Sequence, residues 1–353
     1  MFLLDSHCDT PSQILRLRDL ALDNEYAHVD FPKLRRGGVD GAFFALYIPA
    51  ALSSTDAYVH ASRLLNGVRR VLKFNNDKAR LATCRDEAYE NKDKGLFSVF
   101  LGLENGSAIG DQLDRLEEFY DAGVRYVTLC HSQDNQICDS CAGSHTWMGL
   151  SPFGKNVVRQ MNRMGMLVDV SHISDAAFYD VLSVSSSPVV ATHSCCRALA
   201  DHPRNMTDDM IRELAAAGGV IQINFYPLFL DSGFRAVLED SGIMKEGERI
   251  ESEFIADPCS STKRAAWNKV QESLNALARP SYRRIADHID HAVSLVGIDH
   301  VGIGSDFDGI EVTPQGMEDI SKMPLLFDEL RSRGYTEADL EKIASENFFR
   351  LLH

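Results

Sequence analysis

The sequence lacks the long apolar run that a membrane-spanning helix requires. No stretch approaches the roughly 18 to 20 consecutive apolar residues that cross a bilayer. No basic segment followed by an apolar run opens the chain (MFLLDSHCDTP), and no hydrophobic anchor tail closes it (ENFFRLLH). We therefore expect no signal peptide, no lipid anchor and no membrane partner, and the expected location is cytoplasmic.

Positive charge is also scarce. The 353-residue chain contains 36 Lys and Arg residues against 51 Asp and Glu residues, which gives a formal net charge of −15. A strongly acidic surface repels a phosphate backbone, so nucleic acid is not expected as a partner. An acidic small substrate is not excluded, because one Arg can dominate the electrostatic potential of a single pocket.

A disulfide scaffold is not indicated, although the chain contains eight cysteines. The chain is too long for a small secreted scaffold, and several cysteines lie in apolar stretches, where a reduced Cys behaves as a small hydrophobe. Cys138 and Cys141 form a CxxC pair, but zinc usually requires four ligands. We therefore expect mostly free thiols.

The chain does contain eight short apolar runs that alternate with helical patterns. The runs are nearly continuous in hydrophobicity, as strands buried on both faces are. Segments 111–123, 151–165 and 207–219 place apolar residues at helical spacing and end in glycine. This alternation predicts an α/β fold, a (β/α)8 TIM barrel that forms one catalytic domain over residues 1–353. The runs cover residues 2–4 with the following Asp5-Ser6-His7, 41–49, 96–105, 124–131, 166–172, 188–193, 220–226 and 300–309.

One interval is too long for an ordinary loop of such a barrel. Residues 227–280 follow the seventh run and contain charged helical patches such as STKRAAWNKVQESLNALA. We interpret this segment as an insertion that acts as a lid or as an oligomer contact. Its apolar content is too low to predict a core of its own, so a separate domain is not expected.

Metal-binding side chains stand at the carboxyl ends of six of these runs. In a barrel those ends meet on one face, where active sites lie. One His at a strand end is usually structural, but the coincidence over six strands predicts a metal site, because His, Asp and Glu are ligands of zinc and related metals. The residues are His7 and Asp9 after the first run, Glu104 on the third, His131 on the fourth, His172 on the fifth, His193 on the sixth and Asp306 on the eighth.

The spacing of these residues predicts two metal ions. Residues i and i+2 of an extended segment point to the same side, so His7 and Asp9 can hold one ion together. His172 and His193 end adjacent strands and can hold a second ion. Glu104 lies between the two pairs, and its two carboxylate oxygens can bridge ions that are ~3.5–4 Å apart.

The motifs around these residues resemble the renal (membrane) dipeptidase family of zinc peptidases, peptidase family M19. They are HCD, GLEN, TLCHSQDN, DVSH, ATHS and GSDFDG, and they follow the family order from the first strand to the eighth. The resemblance implies a metallo-dependent hydrolase barrel of the amidohydrolase-like superfamily with two Zn2+ per subunit, and a homodimer. By motif position, His7 and Asp9 bind one zinc ion, His172 and His193 the other, and Glu104 both.

The resemblance also implies the reaction and the substrate contacts. The expected reaction is hydrolysis of the peptide bond of dipeptides, including L-Xaa-D-Xaa, by a hydroxide that bridges the two ions. His131 would donate a hydrogen bond to the carbonyl oxygen, and Asp306 would carry the proton to the leaving amine or, alternatively, ligate a metal. Arg204, in HPRNMTDD, would bind the terminal carboxylate, although an isolated Arg is usually a surface residue. The implied catalytic residues are Asp306, His131 and Glu104, and the implied substrate-binding residues are His131, Arg204 and Asp306.

Other functions compete with this interpretation. Amidohydrolase-type enzymes that act on cyclic amides, lactones or amino groups usually carry HxH after the first strand, whereas this chain carries HxD. A phosphodiesterase or nuclease is disfavoured by the acidic charge. A non-catalytic binding protein would be expected to lack a ligand or Asp306, and none is missing. One position departs from the family pattern, because Asn105 follows Glu104 where many relatives have Gly.

Overall fold

Eight parallel strands joined by helices form the centre of the molecule in the computed structural model, which describes residues 1–352. The strands are β1 Leu4–Cys8, β2 Gly41–Tyr47, β3 Ala79–Leu81, β4 Phe97–Glu104, β5 Val124–Thr128, β6 Leu167–Asp169, β7 Val190–Ser194, β8 Val220–Ile223 and β9 Val301–Ile303. Their order around the sheet is β1-β2-β4-β5-β6-β7-β8-β9, so each barrel strand lies beside its neighbours in the chain. All eight predicted strands are present. The short β3 pairs with the start of β4 outside this order and was not predicted, because three residues with a central Arg80 carry no strand pattern.

The ring nearly closes between β1 and the segment that follows β9. The backbone N–H of Asp306 donates to the carbonyl of His7 at 3.0 Å, and the N–H of Asp9 donates to the carbonyl of Phe307 at 2.8 Å. Cys8 and Phe307 form a parallel bridge at the same place. The predicted (β/α)8 barrel is therefore confirmed.

The first strand continues beyond its apolar residues, to the predicted ligand His7 and the next residue. The apolar run ends at Leu4, but β1 continues through Cys8. Asp5 is buried and accepts a hydrogen bond from the Ser305 backbone N–H at 2.8 Å, and the Ser6 hydroxyl donates to the Thr192 carbonyl at 2.7 Å. Polar residues whose hydrogen bonds are made inside the barrel can belong to a strand, although they break its hydrophobic pattern in the sequence.

Helices cover the outside of the barrel, and local capping explains several of their starts. Ser151, Ser174 and Thr207 each accept a hydrogen bond from a backbone N–H of the first turn that follows. None of the helices within residues 1–352 has the length and hydrophobicity that a bilayer crossing requires. The helices are α1 Thr10–Leu15, α2 Phe31–Gly37, α3 Ser54–Phe74, α4 Arg85–Asp93, α5 Asp114–Asp121, α6 Pro152–Met164, α7 Asp175–Val184, α8 Asp208–Ala216, α9 Pro227–Leu230, α10 Phe234–Ser241, α11 Ile243–Ala256, α12 Ser261–Asn275, α13 Arg283–Val296, α14 Met323–Ser332, α15 Glu337–Glu341 and α16 Asn347–Phe349.

Apolar side chains from seven of the strands form one cluster toward the amino ends of the barrel. Phe43 stacks on Phe100 with ring centroids 4.8 Å apart, and Tyr126 lies 5.1 Å from Phe43. Gly102 leaves space for this packing, because a Cβ there would come within 2.3 Å of the Tyr126 ring. The carboxyl ends of the strands carry polar side chains instead. The strand residues of the cluster are Leu4, Phe43, Phe100, Tyr126, Leu167, Val190 and Val220.

The predicted insertion consists of helices α9 to α12. It buries a small apolar cluster that includes Phe254, Trp267 and Leu274 and reaches Val312 in the segment after β9. The apolar content of the insertion was therefore underestimated, because residues spread over several short helices show no single amphipathic stripe. The cluster holds the insertion against the carboxyl end of the barrel.

Candidate metal and active site

Glu104 stands at the centre of a group of histidines at the carboxyl ends of the strands. Its Oε2 atom lies 3.4 Å from Nε2 of His7, at the end of β1. Its Oε1 atom lies 3.3 Å from Nε2 of His172, 3.6 Å from Nε2 of His193 and 3.8 Å from Nε2 of His131. The two carboxylate oxygens therefore face different histidines.

The structure brings all five predicted metal ligands together, and it also brings His131 and Asp306 to the same place. Nε2 of His7 lies 3.6 Å from Oδ2 of Asp9, and Nε2 of His172 lies 2.9 Å from Nε2 of His193. Three overlapping groups have ligand atoms within 4.8 Å of one another. These groups are His7–Glu104–His193, Glu104–His131–His172 and His7–Asp9–Asp306.

Unpartnered polar atoms at this cluster fit a bound cation. Nε2 of His7, Oδ1 of Asp9 and Oε2 of Glu104 are buried, and none has a hydrogen-bond partner within the described part of the chain. Burying such atoms without a partner is costly, and a cation would satisfy all three. Imidazole nitrogens combined with carboxylate oxygens form a donor set that suits zinc.

Burial keeps three of the histidines neutral. It lowers the pKa of His172 and of His193 well below the ordinary value, and nearby positive groups, including the Arg204 guanidinium, add to the effect. Burial, with the charge of Arg204, lowers the pKa of His131 to about 3. Neutral imidazole is the form that binds a metal or donates a single N–H, so these side chains are ready for either role at neutral pH.

The pKa values of Asp9, Asp306 and His7 are raised instead of lowered. Burial raises the pKa of Asp9 to about 7, and repulsion from Glu104 adds to it. Burial also raises the pKa of Asp306 to about 7, with a contribution from Asp9. Burial lowers the pKa of His7, but the Glu104 and Asp9 carboxylates outweigh it and raise that pKa well above the ordinary value. Crowded, buried negative charge of this kind favours a cation.

Hydrogen bonds to the Nδ1 atoms of two histidines orient their Nε2 atoms toward Glu104. Nδ1 of His7 lies 2.8 Å from the Tyr126 hydroxyl, and Nδ1 of His193 lies 2.7 Å from the Thr192 hydroxyl. The Thr192 hydroxyl donates to Oδ2 of Asp169 at 2.7 Å, so it accepts from the ring of His193 and leaves Nε2 with a free lone pair. Tyr126 and Asp169 were missed from the sequence, although Asp169 stands in the same DVSH motif as His172.

Several residues at the strand ends have left-handed backbone conformations. Positive φ angles occur at Asn105 (75°), His172 (69°), Asp306 (63°) and Asp308 (65°). Such conformations are uncommon for residues other than glycine, and Asn and Asp tolerate them best. The Asn105 amide donates to the carbonyl of Ile48 at 3.0 Å. Asn105 thus adopts the left-handed conformation that a Gly would adopt at this position.

Arg204 lies beside the histidines and is only 5% exposed, so the alternative of a surface Arg is wrong. Its Nη1 donates to the Ser194 hydroxyl at 2.8 Å, and its Nη2 donates to the carbonyl of His193 at 2.6 Å. Its Nε atom is buried without a partner among the described residues. Each Nη atom keeps a second hydrogen, so the guanidinium can still donate to a ligand.

A cavity of about 350 Å³ opens over the cluster. Its inner lining includes Asp9, Glu104, His131, His172 and Asp306. Its outer lining, here called the outer wall, comes from the segment after α1, from helices α11 and α12, and from the segment after β9. Most of these positions lie in segments without a motif or an apolar pattern, so they were not predicted to line the site. The outer wall includes Arg16, Arg18, Tyr26, Glu251, Trp267 and Glu311.

Known proteins resemble this chain along its whole length. Residues 1–353 match the family model described as membrane dipeptidase, peptidase family M19. The chain is 30% identical to Dipeptidase verJ of Clonostachys rogersoniana, with 99% of this chain and 83% of that protein covered. It is 31% identical to an uncharacterized dipeptidase of Schizosaccharomyces pombe, with 99% and 79% covered. A crystal structure of a metallo peptidase from Rhodobacter sphaeroides, liganded with a phosphinate mimic of the dipeptide L-Ala-D-Ala, superposes with a TM-score of 0.82 at 24% identity, with 100% and 98% covered.

Proposed function

The chain belongs to the membrane dipeptidase family, peptidase family M19, and from this premise we propose that it hydrolyses dipeptides with two zinc ions. The observation that carries the proposal is the position of Glu104, whose Oε2 faces His7 while its Oε1 faces His172 and His193. A carboxylate placed in this way suits two ions better than one. The proposed zinc ligands are His7, Asp9, Glu104, His172 and His193.

The buried donor atoms without partners support the metal part of this proposal. When bound, two zinc ions would supply the Lewis acidity that activates water at neutral pH and polarises a peptide carbonyl. Glu104 holds the two halves of the site at a fixed distance from each other. Tyr126 and Thr192, behind His7 and His193, keep the ring nitrogens directed inward.

His131 is proposed to stabilise the reacting carbonyl. Its side chain is 22% exposed, lines the cavity and packs edge-on against Tyr47 with ring centroids 4.9 Å apart. Its Nε2 lies 3.8 Å from Glu104, so it stands beside the proposed ligands. A neutral imidazole can donate one N–H to the carbonyl oxygen as negative charge develops there.

Asp306 is proposed to move the proton during hydrolysis. Its Oδ2 accepts a hydrogen bond from the Asn224 amide at 2.8 Å, which fixes the carboxylate at the edge of the cavity. A carboxylate in this position can accept the proton of the attacking water and return it to the leaving amine. Since Asp306 also groups with His7 and Asp9, metal ligation is its alternative role.

Arg204 is proposed to bind the terminal carboxylate of the substrate. Its free N–H groups, its burial and its place beside the histidines support this role. A carboxylate held one residue from the scissile bond would exclude longer peptides. We also propose that L-Xaa-D-Xaa dipeptides are accepted, because the structure from Rhodobacter sphaeroides is liganded with a mimic of such a dipeptide.

We further propose that residues 1–353 form one catalytic domain and that the insertion at 227–280 acts as a wall of the active site. Glu251 on α11 and Trp267 on α12 line the cavity over the metal cluster. A wall of this kind would limit the size of the substrate and keep water out.

Metal removal tests the proposal. Chelation is expected to abolish hydrolysis of Ala-Ala, and zinc is expected to restore it with two ions per chain by metal analysis. Glu104→Ala should lower kcat/KM by at least about 100-fold, since even residues behind metal ligands cost 10- to 100-fold. Full activity of a metal-free Glu104→Ala protein would overturn the binuclear proposal. Hydrolysis of a lactone or cyclic amide, or deamination, without dipeptide hydrolysis would favour the alternative amidohydrolase-type function.

A further inference from the structure

Arg204 lies near the end of the loop that joins β7 to α8. The two ends of this loop pair with each other, because the N–H of Met206 donates to the carbonyl of Cys195 at 2.9 Å and the N–H of Arg197 donates to the carbonyl of Met206 at 2.8 Å. These bonds fix the base of the loop at the carboxyl end of the barrel. A long Arg side chain binds a ligand more tightly when its orientation is also fixed in advance, so the support of its guanidinium matters.

Helix α9, the first helix of the insertion, supports the other side of this loop. The side-chain amide of Asn205 donates to the carbonyl of Phe229 at 2.8 Å, and the backbone N–H of Asp201 donates to the Ser232 hydroxyl at 3.1 Å. Asn205 is only 1% exposed, and a hydrogen bond in such low-dielectric surroundings is stronger than one in water. The residue next to Arg204 is therefore tied to the backbone of Phe229.

The ring of Phe229 contacts the side chain of Arg204 itself. The guanidinium carbon of Arg204 lies 5.7 Å from the centre of that ring, within the ~6 Å range of a cation–π contact. The His202 ring packs against Phe229 with centroids 4.8 Å apart, and its Nδ1 accepts a hydrogen bond from the backbone N–H of Arg204 at 3.1 Å. Tyr226 meets Phe229 edge-on with centroids 5.0 Å apart. Neighbouring rings thus hold Phe229 in place under the guanidinium.

The groups that hold the guanidinium of Arg204 leave its charge uncompensated. Within residues 1–352, no Asp or Glu oxygen lies within 4.0 Å of its nitrogens, and its hydrogen bonds go to the Ser194 hydroxyl and the His193 carbonyl. Arg197, in the same loop, differs because it pairs with Asp175 through two hydrogen bonds of 2.7 Å. A carboxylate partner would compete with the carboxylate of a substrate, whereas a neutral ring face positions the cation and keeps it available.

We propose that Phe229 is a positioning residue for substrate binding, whose ring face holds the guanidinium of Arg204 in the orientation that binds the carboxylate of a dipeptide. This inference rests on the proposed role of Arg204 and makes it specific. It also gives the insertion a second role, because α9 supports the group that binds the substrate while α11 and α12 line the cavity.

Two substrates and the Phe229→Leu variant test this role. Ala-Ala and alanyl-alaninamide differ only in the terminal carboxylate that Arg204 is proposed to bind. Phe229→Leu removes the ring face and keeps an apolar side chain, so KM of the zinc-loaded enzyme for Ala-Ala should rise about 2- to 30-fold, the range that follows from the strength of a cation–π contact. The kcat for Ala-Ala and the kcat/KM for alanyl-alaninamide should stay within about twofold of the native values, since loss of uniform binding to a carboxylate raises KM alone.

Two further variants separate the ring face from general packing. Replacement of Phe229 by a trifluorinated phenylalanine keeps the shape of the ring and weakens its negative face, so KM for Ala-Ala should again rise although the packing is preserved. Phe254→Leu is the matched control, because Phe254 lies in the same insertion and its ring centre is 5.5 Å from the guanidinium carbon of Arg264 instead of Arg204. This control should leave KM for Ala-Ala unchanged.

The outcomes separate this inference from the proposed function. An unchanged KM for Ala-Ala in Phe229→Leu or in the fluorinated protein would overturn the positioning role, and so would an equal loss of kcat/KM for Ala-Ala and alanyl-alaninamide. Poor folding cannot imitate the expected result, because both substrates are measured on one preparation and the fluorinated ring keeps the native shape. A native enzyme with equal kcat/KM for the two substrates would instead overturn the role of Arg204, and failure to hydrolyse any dipeptide would overturn the proposed function.

Discussion

The cluster of His, Asp and Glu side chains around Glu104 and the outer wall of the same cavity are built in different ways. Residues of the cluster stand on the barrel strands or directly after them, where backbone hydrogen bonds to neighbouring strands fix their positions. Residues of the outer wall come from the segment after α1, from the insertion and from the segment after β9, which are far apart in the chain. The side chains that can bind metal are thus held on the rigid scaffold, whereas added segments form the part of the cavity that would face the substrate in the proposed reaction.

The two regions also differ in how strongly their charges interact. The side chains of His7, Glu104 and His193 are at most 3% exposed, whereas those of Arg16 and Glu251 are 17% and 25% exposed. Water screens charge pairs near a surface, so the ion pair of the wall contributes less than the contacts of the cluster. We therefore expect the effects of substitutions to decrease from the cluster to the wall.

The largest effect among these tests is expected from Asp306→Asn, a substitution within the cluster around Glu104. The substitution removes a carboxylate that is proposed to transfer a proton and preserves its shape. The value of kcat for Ala-Ala should fall by about 10²- to 10⁴-fold, the usual contribution of general acid–base catalysis. Zinc content, measured in parallel, should stay at two per chain. Loss of one zinc ion would show that Asp306 is a metal ligand instead.

A smaller effect is expected from Tyr126→Phe, which acts behind the cluster. The variant removes the hydroxyl that lies 2.8 Å from Nδ1 of His7 and keeps the packed ring. Zinc affinity, measured by competition with a chelator, should fall by about 10- to 100-fold, as for other groups that orient metal-binding histidines. Tyr179→Phe is the control, because Tyr179 is 46% exposed and far from the barrel interior. Equal affinity in both variants would show that packing alone orients His7.

The smallest effect on stability is expected from Arg16→Gln, which breaks the ion pair with Glu251 at the wall. Because both side chains are partly exposed, the free energy of unfolding should change by less than about 1 kcal/mol. The control is Arg36→Gln, which breaks the more exposed pair with Asp23 away from the cavity. Denaturant titration of both variants measures the difference. A much larger loss at Arg16 would mean that this pair anchors the insertion, and the contrast between cluster and wall would then be weaker than proposed.

Much of the barrel could be predicted because buried parallel strands leave continuous apolar runs in the sequence. The exceptions to this pattern are informative. Asp5 and Ser6 interrupt the apolar pattern of the first run, but both form hydrogen bonds inside the barrel and belong to β1. Strand β3 has only three residues, and a segment of this length shows no periodicity.

The candidate site was predictable in part for the same reason. His7, Asp9, Glu104, His172 and His193 stand out because each interrupts or ends an apolar run, and the structure brings them together. The supporting residue Tyr126 did not stand out, since an aromatic residue inside a strand is indistinguishable from ordinary core packing. Phe229 did not stand out either, because nothing in the sequence pairs it with Arg204.

The amino-acid sequence was sufficient to predict the kind of barrel and the identity of the residues that meet at its carboxyl end. It could do so because strand burial and strand order are local properties that repeat along the chain. The surroundings of those residues, in contrast, depend on how the whole chain folds. Arg16 meets Glu251, and Arg204 meets Phe229, because separate segments of the chain fold together. No periodicity records such contacts, since they depend on how the insertion packs against the barrel.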